Sequence, residues 1–446
     1  MRLLRDRWTI AIAGSIVMLL IGTIYSWAIF TEPLLVGFDW DLTTVTWAYA
    51  IANFSLATLG TVIGGLWQDR VGPRRVAMTG VGLWGIGNVL AGLGTPVYGA
   101  PWLYVTYGVI GGVGAGMAYI TPLAVVSKWF PERRGLAGGL VVGGFGLGAF
   151  IYNQWVPRLA SFHAFAVHAG HVIAARLSGP NAPLETTLRA AADPAGPHGI
   201  AAVMHVFVAS GLVFLIVGLP AASLLRNPPD HRLSRRLSTP VKDQGAGYAP
   251  SKVLTMPQFY LLWLQLFANV IAGVTIISNA VVILADLTRL PPASIAPIFG
   301  IVSIFNALGR FFWGGISDRI GCQGTFAAMF AVQALTLFLL SGVHQPALAL
   351  AGFSVVLLCC GGGFGTMPSY SAQCFGTAHM GMNYGLVLSA WGFAGLLGPI
   401  LVARARDLSG SFAGMMPLIA IVLTVSVILP FLTRKPPRSL QQAAAI

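Results

Sequence analysis

Apolar residues in this chain form long runs separated by short polar segments. The runs fall at residues 9–30, 42–66, 76–96, 101–127, 135–156, 201–225, 257–284, 293–316, 323–342, 347–368, 380–403 and 411–433. Most approach or exceed the ~20 residues that an α-helix needs to cross about 30 Å of hydrocarbon. Because lipid offers the backbone no hydrogen-bond partners, each run must pair its own amides as a helix. The pattern predicts an all-α membrane protein with twelve transmembrane helices.

Composition supports this class and excludes others. Hydrophobic residues make up 56% of the 446 residues and charged residues only 9%, and the mean hydropathy is +0.77. An ordinary soluble domain carries about 25% charged residues, and disorder requires low hydrophobicity. Four cysteines without metal-type spacing exclude a disulfide scaffold. We therefore expect a polytopic protein embedded in a lipid bilayer.

The formal net charge of +13 is distributed along the connecting segments. If the N-terminus is inside and the loops alternate, nineteen Lys and Arg residues lie inside, six lie outside, and Arg310 lies within a helix. This asymmetry follows the positive-inside rule and predicts an inner (plasma) membrane protein with both termini cytoplasmic. Nucleic-acid binding would need a basic patch on one soluble face, which the distribution does not supply. The N-terminal apolar run is too long for a signal peptide and lacks a clean cleavage site, so we take it as the first helix.

A polar segment at 226–256 divides the predicted helices six and six. Residues 1–225 and 257–446 would then form two bundles, the second with a short cytoplasmic tail, joined by a cytoplasmic linker at 226–256. The Gly-Gly-Leu-Trp-Gln-Asp sequence ending at Asp69 matches Gly-Gly-Ile-Ser-Asp ending at Asp318, 249 positions later, and glycine-rich blocks repeat at nearly the same spacing. Such a duplication is typical of transporters, whose binding site lies between the repeats.

Arg310 is a charged residue deep within a predicted helix. An Arg at mid-membrane costs ~2.5–3.5 kcal/mol on insertion scales, so such residues usually face a cavity and bind something. About 12 Å of helix separates Arg310 from Asp318, beyond an easy reach to the surface. Asn306 lies on the same helix face. All thirteen acidic residues lie in loops or near helix ends, which leaves Arg310 for an anionic ligand, and its planar fork suits a carboxylate.

Two tyrosines add hydroxyl groups to apolar helices. A Tyr in a membrane protein is often a residue of the interfacial belt. Tyr119 lies well inside its run among glycines, which favours a position facing the pore, and Tyr25 lies in the first run.

Several motifs resemble one transporter family. The sequences at 64–75 (GGLWQDRVGPRR) and 314–321 (GGISDRIG) resemble the loop signature of the major facilitator superfamily, found after its second and eighth helices. The segments 112–119 (GVGAGMAY), 128–137 (KWFPERRGLA), 25–30 (YSWAIF) and 306–310 (NALGR) are similar to the oxalate/formate antiporter family and the monocarboxylate transporters. The resemblance covers essentially the whole chain except a long outer loop at 157–200, which is larger than usual for the family. It implies two pseudo-symmetric six-helix bundles.

The resemblance also implies roles for individual residues. An Arg in the place of Arg310 binds the substrate carboxylate in that family, and Phe364 would pack on the substrate, although core packing explains it equally well. Trp391 stands where oxalate-exchanging members carry a Lys, so one fewer positive charge favours a monoanion such as lactate or pyruvate. Cys360 stands where lactate-transporting relatives often carry a Tyr. The candidate substrate-binding residues are Arg310, Asn306, Tyr119, Phe364, Trp391, Tyr25 and Cys360.

Other charged residues are candidates for proton coupling and conformational control. Related carriers place a proton-coupling acid near the outer end of the seventh helix, where Asp286 stands; a solvated charge pairing with Arg289 is the alternative. A carboxylate at a helix end can meet a helix N-terminus or an arginine across the interface and hold the inner side closed. The candidate gating residues are Asp69, Arg70, Asp318, Arg319 and Arg134.

Enzyme signatures are missing from the sequence, which contains no Gly-x-Ser-x-Gly elbow and no phosphate-binding loop. The outer-loop residues His163, His168 and His171 lack zinc-site spacing. We therefore predict no catalytic residue, no cofactor and no metal. The sequence favours a secondary transporter of small monocarboxylates, driven by proton symport through alternating access. Carboxylate exchange and a non-transporting receptor on the same fold are the alternatives.

Overall fold

The computed structural model describes residues 2–178, 198–228, 247–288, 301–302, 304–343, 345–409, 415–434 and 436. The helices of the first half are α1 (Arg2–Gly22), α2 (Ala28–Gly37), α3 (Leu42–Phe54), α4 (Thr61–Val71), α5 (Pro73–Leu103), α6 (Gly112–Trp129), α7 (Arg134–Trp155), α8 (Ala160–Ser178) and α9 (His198–Ser223). Those that follow are α10 (Pro250–Val253), α11 (Pro257–Thr288), α12 (Ile304–Leu340), α13 (Pro346–Phe375), α14 (Met380–Ser409), α15 (Met415–Ser426) and α16 (Leu429–Leu432).

Within these residues, eight helical stretches are long and apolar enough to cross a membrane. Two of them, Pro73–Trp129 and Ile304–Leu340, each make two passes. The chain reverses direction at Gly99 (φ 69°) in the first stretch and at Gly321 (φ 80°) in the second. The first reversal allows the Trp102 indole to donate to the Leu90 carbonyl at 2.7 Å, a pairing impossible in a straight helix. With α14 and the shorter apolar stretch Met416–Leu432, the described residues account for twelve passes.

The internal repeat is visible in the turns. Gly72, between α4 and α5, has φ 88°, and Gly321, its counterpart 249 positions later, has φ 80°. A side chain at either position would meet no neighbour, so glycine is required for its backbone conformation rather than for space. The same tight turn therefore follows the same motif in both halves.

Each half presents one glycine-lined helix to the other. In the first half this is α7, where a Cβ at Gly146 would lie 2.6 Å from the Cβ of Ala307 in α12. In the second half it is α14, where a Cβ at Gly385 would lie 2.6 Å from the carbonyl oxygen of Thr61 in α4. Both approaches are closer than side chains allow, so the two halves meet along backbone surfaces.

Part of the outer segment predicted as a loop is helical. Helix α8 buries Phe162 and Phe165, and the Phe162 ring lies 5.8 Å from Phe30 in α2. Phe165 packs against Gly199 at the start of α9. The segment predicted as a long outer loop at 157–200 therefore contains a helix over residues 160–178, because these aromatic side chains fold α8 onto the ends of neighbouring helices.

The last residues of the linker pack on the second half. The Tyr248 amide donates to the Phe375 carbonyl at 2.9 Å, and the Asn383 side chain donates to the Tyr248 carbonyl at 3.0 Å. Tyr248 and Asn383 are both buried. The connection between α13 and α14 is thus held by the linker on one side.

Candidate functional site

The guanidinium of Arg310 lies in the interior of the protein and is only 1% exposed. Its Nη1 donates to the Val142 carbonyl in α7, and its Nη2 donates to Asn306 Oδ1, both at 3.1 Å. Phe145 and Phe364 lie against the cation, with ring centroids 5.1 and 4.9 Å from Cζ. Cation–π contacts stabilise a desolvated guanidinium and fix its plane. Arg310 is thus oriented by both halves of the protein.

Trp391 is the centre of the surrounding aromatic cluster and is fully buried. Its ring lies 5.1 Å from Phe364, 5.4 Å from Tyr119, 5.8 Å from Phe145 and 5.9 Å from Tyr25. Most of these pairs meet edge to face, a favourable geometry for aromatic rings. We call the set of Arg310, Asn306, Cys360, Phe364, Tyr384, Trp391, Tyr25, Tyr119 and Phe145 the central cage.

Arg310 also acts electrostatically on polar groups of the cage. These are the hydroxyls of Tyr25, Tyr119 and Tyr384 and the thiol of Cys360. Tyr25 is partly exposed, whereas the other three side chains are buried. The cage therefore combines one cation with several neutral polar groups inside an aromatic enclosure.

Several buried polar atoms of the cage have no hydrogen-bond partner among the described residues. They are Arg310 Nε, Asn306 Nδ2, Tyr119 Oη, Tyr384 Oη and Trp391 Nε1. A buried unpaired polar group destabilises a folded protein by about 1–3 kcal/mol. A cluster of such groups indicates a place where a ligand could supply the missing partners. Within the described residues no carboxylate pairs with Arg310. A small anion would satisfy the unpaired donors and the cation together.

All seven sequence-predicted binding residues lie in this cage. Sequence reasoning missed Phe145 and Tyr384 as members. Phe145 lies in a Gly-Gly-Phe-Gly run of α7, and Tyr384 opens the segment that contains Trp391. An aromatic residue among glycines at the helix that faces the other half was the available signal for Phe145. The cage draws its residues from both halves and lies between them.

Two carboxylates lie at one end of the bundle. We name this end the aspartate face: it carries Asp69, Asp318 and the ion pair of Arg7 with Glu132. The amides of Gly381 and Met382, in the first turn of α14, donate to the Asp69 carboxylate at 3.3 and 2.9 Å. Each half thus caps a helix of the other, because Asp318 does the same for the first turn of α7.

The other charged candidates stand apart from these contacts. Arg70 and Arg319 follow the two aspartates directly and are exposed. Arg134 begins α7, next to the Asp318 contact, but its side chain lies outside the described residues. Asp286 belongs to α11, near its end, and its side chain likewise lies outside them.

No group of His, Cys, Asp or Glu side chains that could hold a metal ion occurs in the portion of the chain that is described. His163 and His168 lie on α8, and the side chain of His171 is outside that portion.

Comparison with known proteins gives the family. The sequence model of the Major Facilitator Superfamily matches residues 10–399, with a second match over 272–445. The chain is 26% identical over 399 residues to the oxalate:formate antiporter of Oxalobacter formigenes, covering 89% of this chain and 84% of that protein. It is 30% identical over 388 residues to apicoplast pyruvate carrier 1 of Toxoplasma gondii, covering 79% of this chain and 69% of the carrier. Monocarboxylate transporter 13 of Bos taurus is 24% identical over 403 residues, covering 88% of this chain and 81% of that protein.

Solved structures show the same architecture. A crystal structure of the Escherichia coli fucose:proton symporter matches 95% of this chain and 99% of its own, with a TM-score of 0.65 and 14% identity. A second structure of that symporter, in its outward conformation, matches 96% of this chain and 99% of its own, with a TM-score of 0.69 at 14% identity. From the family match over most of its length and the shared fold, this chain belongs to the major facilitator superfamily of multi-pass membrane transporters.

Proposed function

We propose that the protein is a secondary transporter of small monocarboxylates, with Arg310 as the carboxylate anchor. The observation that carries the proposal is the buried guanidinium, which has an unpaired Nε and no carboxylate beside it among the described residues. A guanidinium fork binds a carboxylate through two parallel charge-assisted hydrogen bonds. The rings of Phe145 and Phe364 hold the plane of that fork. The relatives named as pyruvate, oxalate:formate and monocarboxylate carriers support a carboxylate as the substrate.

The cage favours one negative charge over two. Trp391 packs edge to face against Phe145 in the cage, and its indole carries no charge. A dianion would bring a second charge into a buried site where the described residues supply one cation, and an unpaired buried charge is expensive. A monocarboxylate such as lactate or pyruvate matches the single guanidinium.

Transport proceeds by alternating access in this proposal. The bodies that move are residues 1–225 and 257–446, joined by the linker at 226–256, and they rock about the cage. The bonds of Asp69 and Asp318 to helices of the opposite half hold the aspartate face closed. They must break before the substrate leaves on that side, so the two aspartates, with the neighbouring Arg70, Arg319 and Arg134, form the gate.

The aspartate face is cytoplasmic in this proposal, and the protein resides in the inner (plasma) membrane with both termini inside. Nineteen Lys and Arg residues fall on this side of the predicted topology and six on the other. Positive residues are retained on the cytoplasmic side of a membrane.

Proton symport supplies the driving force, with Asp286 as the acid that takes up the proton. The described side chains include no carboxylate near the cage, so the acid proposed from the sequence is the candidate. Exchange of one carboxylate for another is the second candidate, and the relative named as an oxalate:formate antiporter favours it.

Uptake into proteoliposomes tests these alternatives. Purified protein is reconstituted and given labelled lactate or pyruvate, with and without an inward proton gradient and with and without internal carboxylate. Symport predicts uptake that rises with the proton gradient and needs no internal substrate. Exchange predicts uptake that ignores the gradient and requires internal carboxylate. Carboxylate binding without any uptake would identify a receptor and end the transport proposal.

A further inference from the structure

The unpaired atoms of the central cage are mostly hydrogen-bond donors. Arg310 Nε, Asn306 Nδ2 and Trp391 Nε1 can only donate. The two other unpaired atoms are the hydroxyls of Tyr119 and Tyr384, which can donate or accept. All five are buried, so each gains by pairing with a bound molecule.

The amide and carbonyl acceptors nearest the guanidinium are already engaged. Asn306 Oδ1 and the Val142 carbonyl both accept from Arg310. The bond to Arg310 also fixes the orientation of the Asn306 amide, so its NH2 group is the part left to donate to the Cys360 thiol or to a ligand. A ligand therefore meets several free donors, whereas the side-chain acceptors left in the cage are the hydroxyl oxygens of Tyr25, Tyr119 and Tyr384 and the weakly accepting Cys360 sulfur.

We infer that the site prefers a 2-oxo monocarboxylate over the corresponding 2-hydroxy acid. This inference rests on the proposed function and specifies the substrate class of the same site. The carboxylate and keto oxygens of a 2-oxo acid are all acceptors, which matches a lining of donors. The O–H group of a 2-hydroxy acid is itself a donor. It must either remain unpaired or donate to a tyrosine oxygen, whose own O–H then points away from the ligand.

The size of the preference follows from the cost of a buried unpaired donor. That cost corresponds to a factor of about 5 in affinity at its lower end, and more where no tyrosine oxygen can accept. The preference is a property of the functional group beside the carboxylate. It should therefore be the same for chains of different length that still fit among the aromatic rings.

Binding to the purified protein in lipid nanodiscs, measured by calorimetry, tests the inference with matched pairs. The pairs are pyruvate against lactate and 2-oxobutyrate against 2-hydroxybutyrate, with propionate as the reference that lacks the second functional group. We expect the oxo acid to bind ~5-fold or more tightly in both pairs, by the cost of an unpaired donor. Equal or tighter binding of the hydroxy acids, with propionate still bound, would overturn the inference and leave carboxylate transport intact. No binding of any carboxylate would overturn the proposed function as well.

Variants that delete single donors locate the effect. Trp391→Phe, Tyr119→Phe and Tyr384→Phe each keep an aromatic ring and remove one polar group. At least one should bring the oxo-to-hydroxy ratio close to unity, with both affinities expressed relative to the affinity of the same variant for propionate. Tyr104→Phe is the matched control, because its hydroxyl donates to the Thr44 carbonyl at 2.8 Å, outside the cage. A ratio unchanged in all three cage variants would contradict recognition by these donors.

Discussion

The backbone amide of Gly135 donates a hydrogen bond to Asp318 Oδ1 at 3.0 Å, across the interface between the two halves of the protein. Gly135 is the second residue of α7, where backbone amides have no partner within the helix. The carboxylate thereby satisfies amides and opposes the positive end of the helix. Asp69 repeats the relationship at α14, so two equivalent contacts bind each half to the other.

Replacing both aspartates should open the aspartate face. Asp69→Asn together with Asp318→Asn removes both charges and leaves each site one acceptor oxygen for two amides. Each change should destabilise the closed state relative to the open state by about 1–2 kcal/mol, because a charge-assisted hydrogen bond is lost. The measurement is maleimide labelling of Ser317→Cys, since Ser317 is buried beside Gly135. Labelling should rise ~10-fold or more over the same cysteine in the wild-type background.

The control for this experiment is Asp41→Asn. Asp41 caps its own helix by accepting from the Thr44 amide at 2.8 Å, and this contact does not cross the interface. The native cysteines are all buried, which keeps background labelling low. Equal labelling in the double variant and in the control would show that the aspartates do not hold the gate.

A single methyl group at the interface should have a similar effect. A Cβ at Gly65 would overlap the carbonyl oxygen of Gly381, so Gly65→Ala is expected to separate α4 from α14. Carboxylate uptake should fall several-fold, and the buried Ser317→Cys should become more reactive. Gly82→Ala is the matched control, because a Cβ there meets nothing within 4 Å. Full activity in Gly65→Ala would show that the interface tolerates the displacement.

Arg310→Lys should not restore carboxylate binding. Lysine offers a point charge on a flexible stem in place of a rigid fork with two parallel donors. Losing that geometry should weaken binding ~10-fold or more, by the 1.5–3 kcal/mol of a bond to a charged group. Arg310→Ala should abolish binding while the protein remains folded, because a buried cation is costly to keep in a membrane.

Calorimetry on purified protein measures both variants, with thermal unfolding as the check on folding. Arg74→Ala, which removes an exposed cation, is the control for net charge. Lactate or pyruvate affinity equal to wild type in Arg310→Ala would refute the anchor.

Trp391→Lys should raise the preference for dianions. A second cation near Arg310 interacts more strongly with two negative charges than with one, in a site where water screens poorly. The ratio of oxalate to lactate uptake should rise ~10-fold or more, a difference of about 1.4 kcal/mol. Trp391→Phe controls for the loss of the indole ring. If the Trp391→Lys variant transports with an unchanged ratio of oxalate to lactate uptake, then the added charge does not interact with the bound substrate.

Asp286→Asn should uncouple substrate transport from the proton gradient. Without a carboxylate to protonate, net uptake should lose its dependence on the gradient, whereas exchange of substrate across the membrane should continue. Parallel assays of gradient-driven uptake and of exchange measure the two processes, again with Asp41→Asn as the control acid. Gradient-driven uptake that survives in Asp286→Asn would require another proton carrier.

The sequence by itself determined the class, the passes and the presence of a cation within the membrane at Arg310. Hydropathy is a local property, so the runs around each helix predict membrane passes without knowledge of their neighbours. The repeat of Asp69 at Asp318 was readable because both copies keep their residues and spacing. Arg310 was identifiable because a cation within an apolar run carries an energetic cost that demands a function.

The tertiary structure alone decided which side chains share the cage and what the aspartates bind. Tyr384 does not differ in sequence from an aromatic residue that faces lipid, and Phe145 differs only by the glycines around it. The rotation of a helix about its axis is weakly marked in a membrane protein, because lipid is as apolar as the protein interior. The partners of Asp318 are backbone amides 183 and 182 positions away, in Gly135 and Leu136, and a backbone amide has no sequence signature. The sequence pattern did not predict helix α8 for a related reason. Phe162 and Phe165 stabilise this helix by packing on neighbouring helices, which only the tertiary structure brings together.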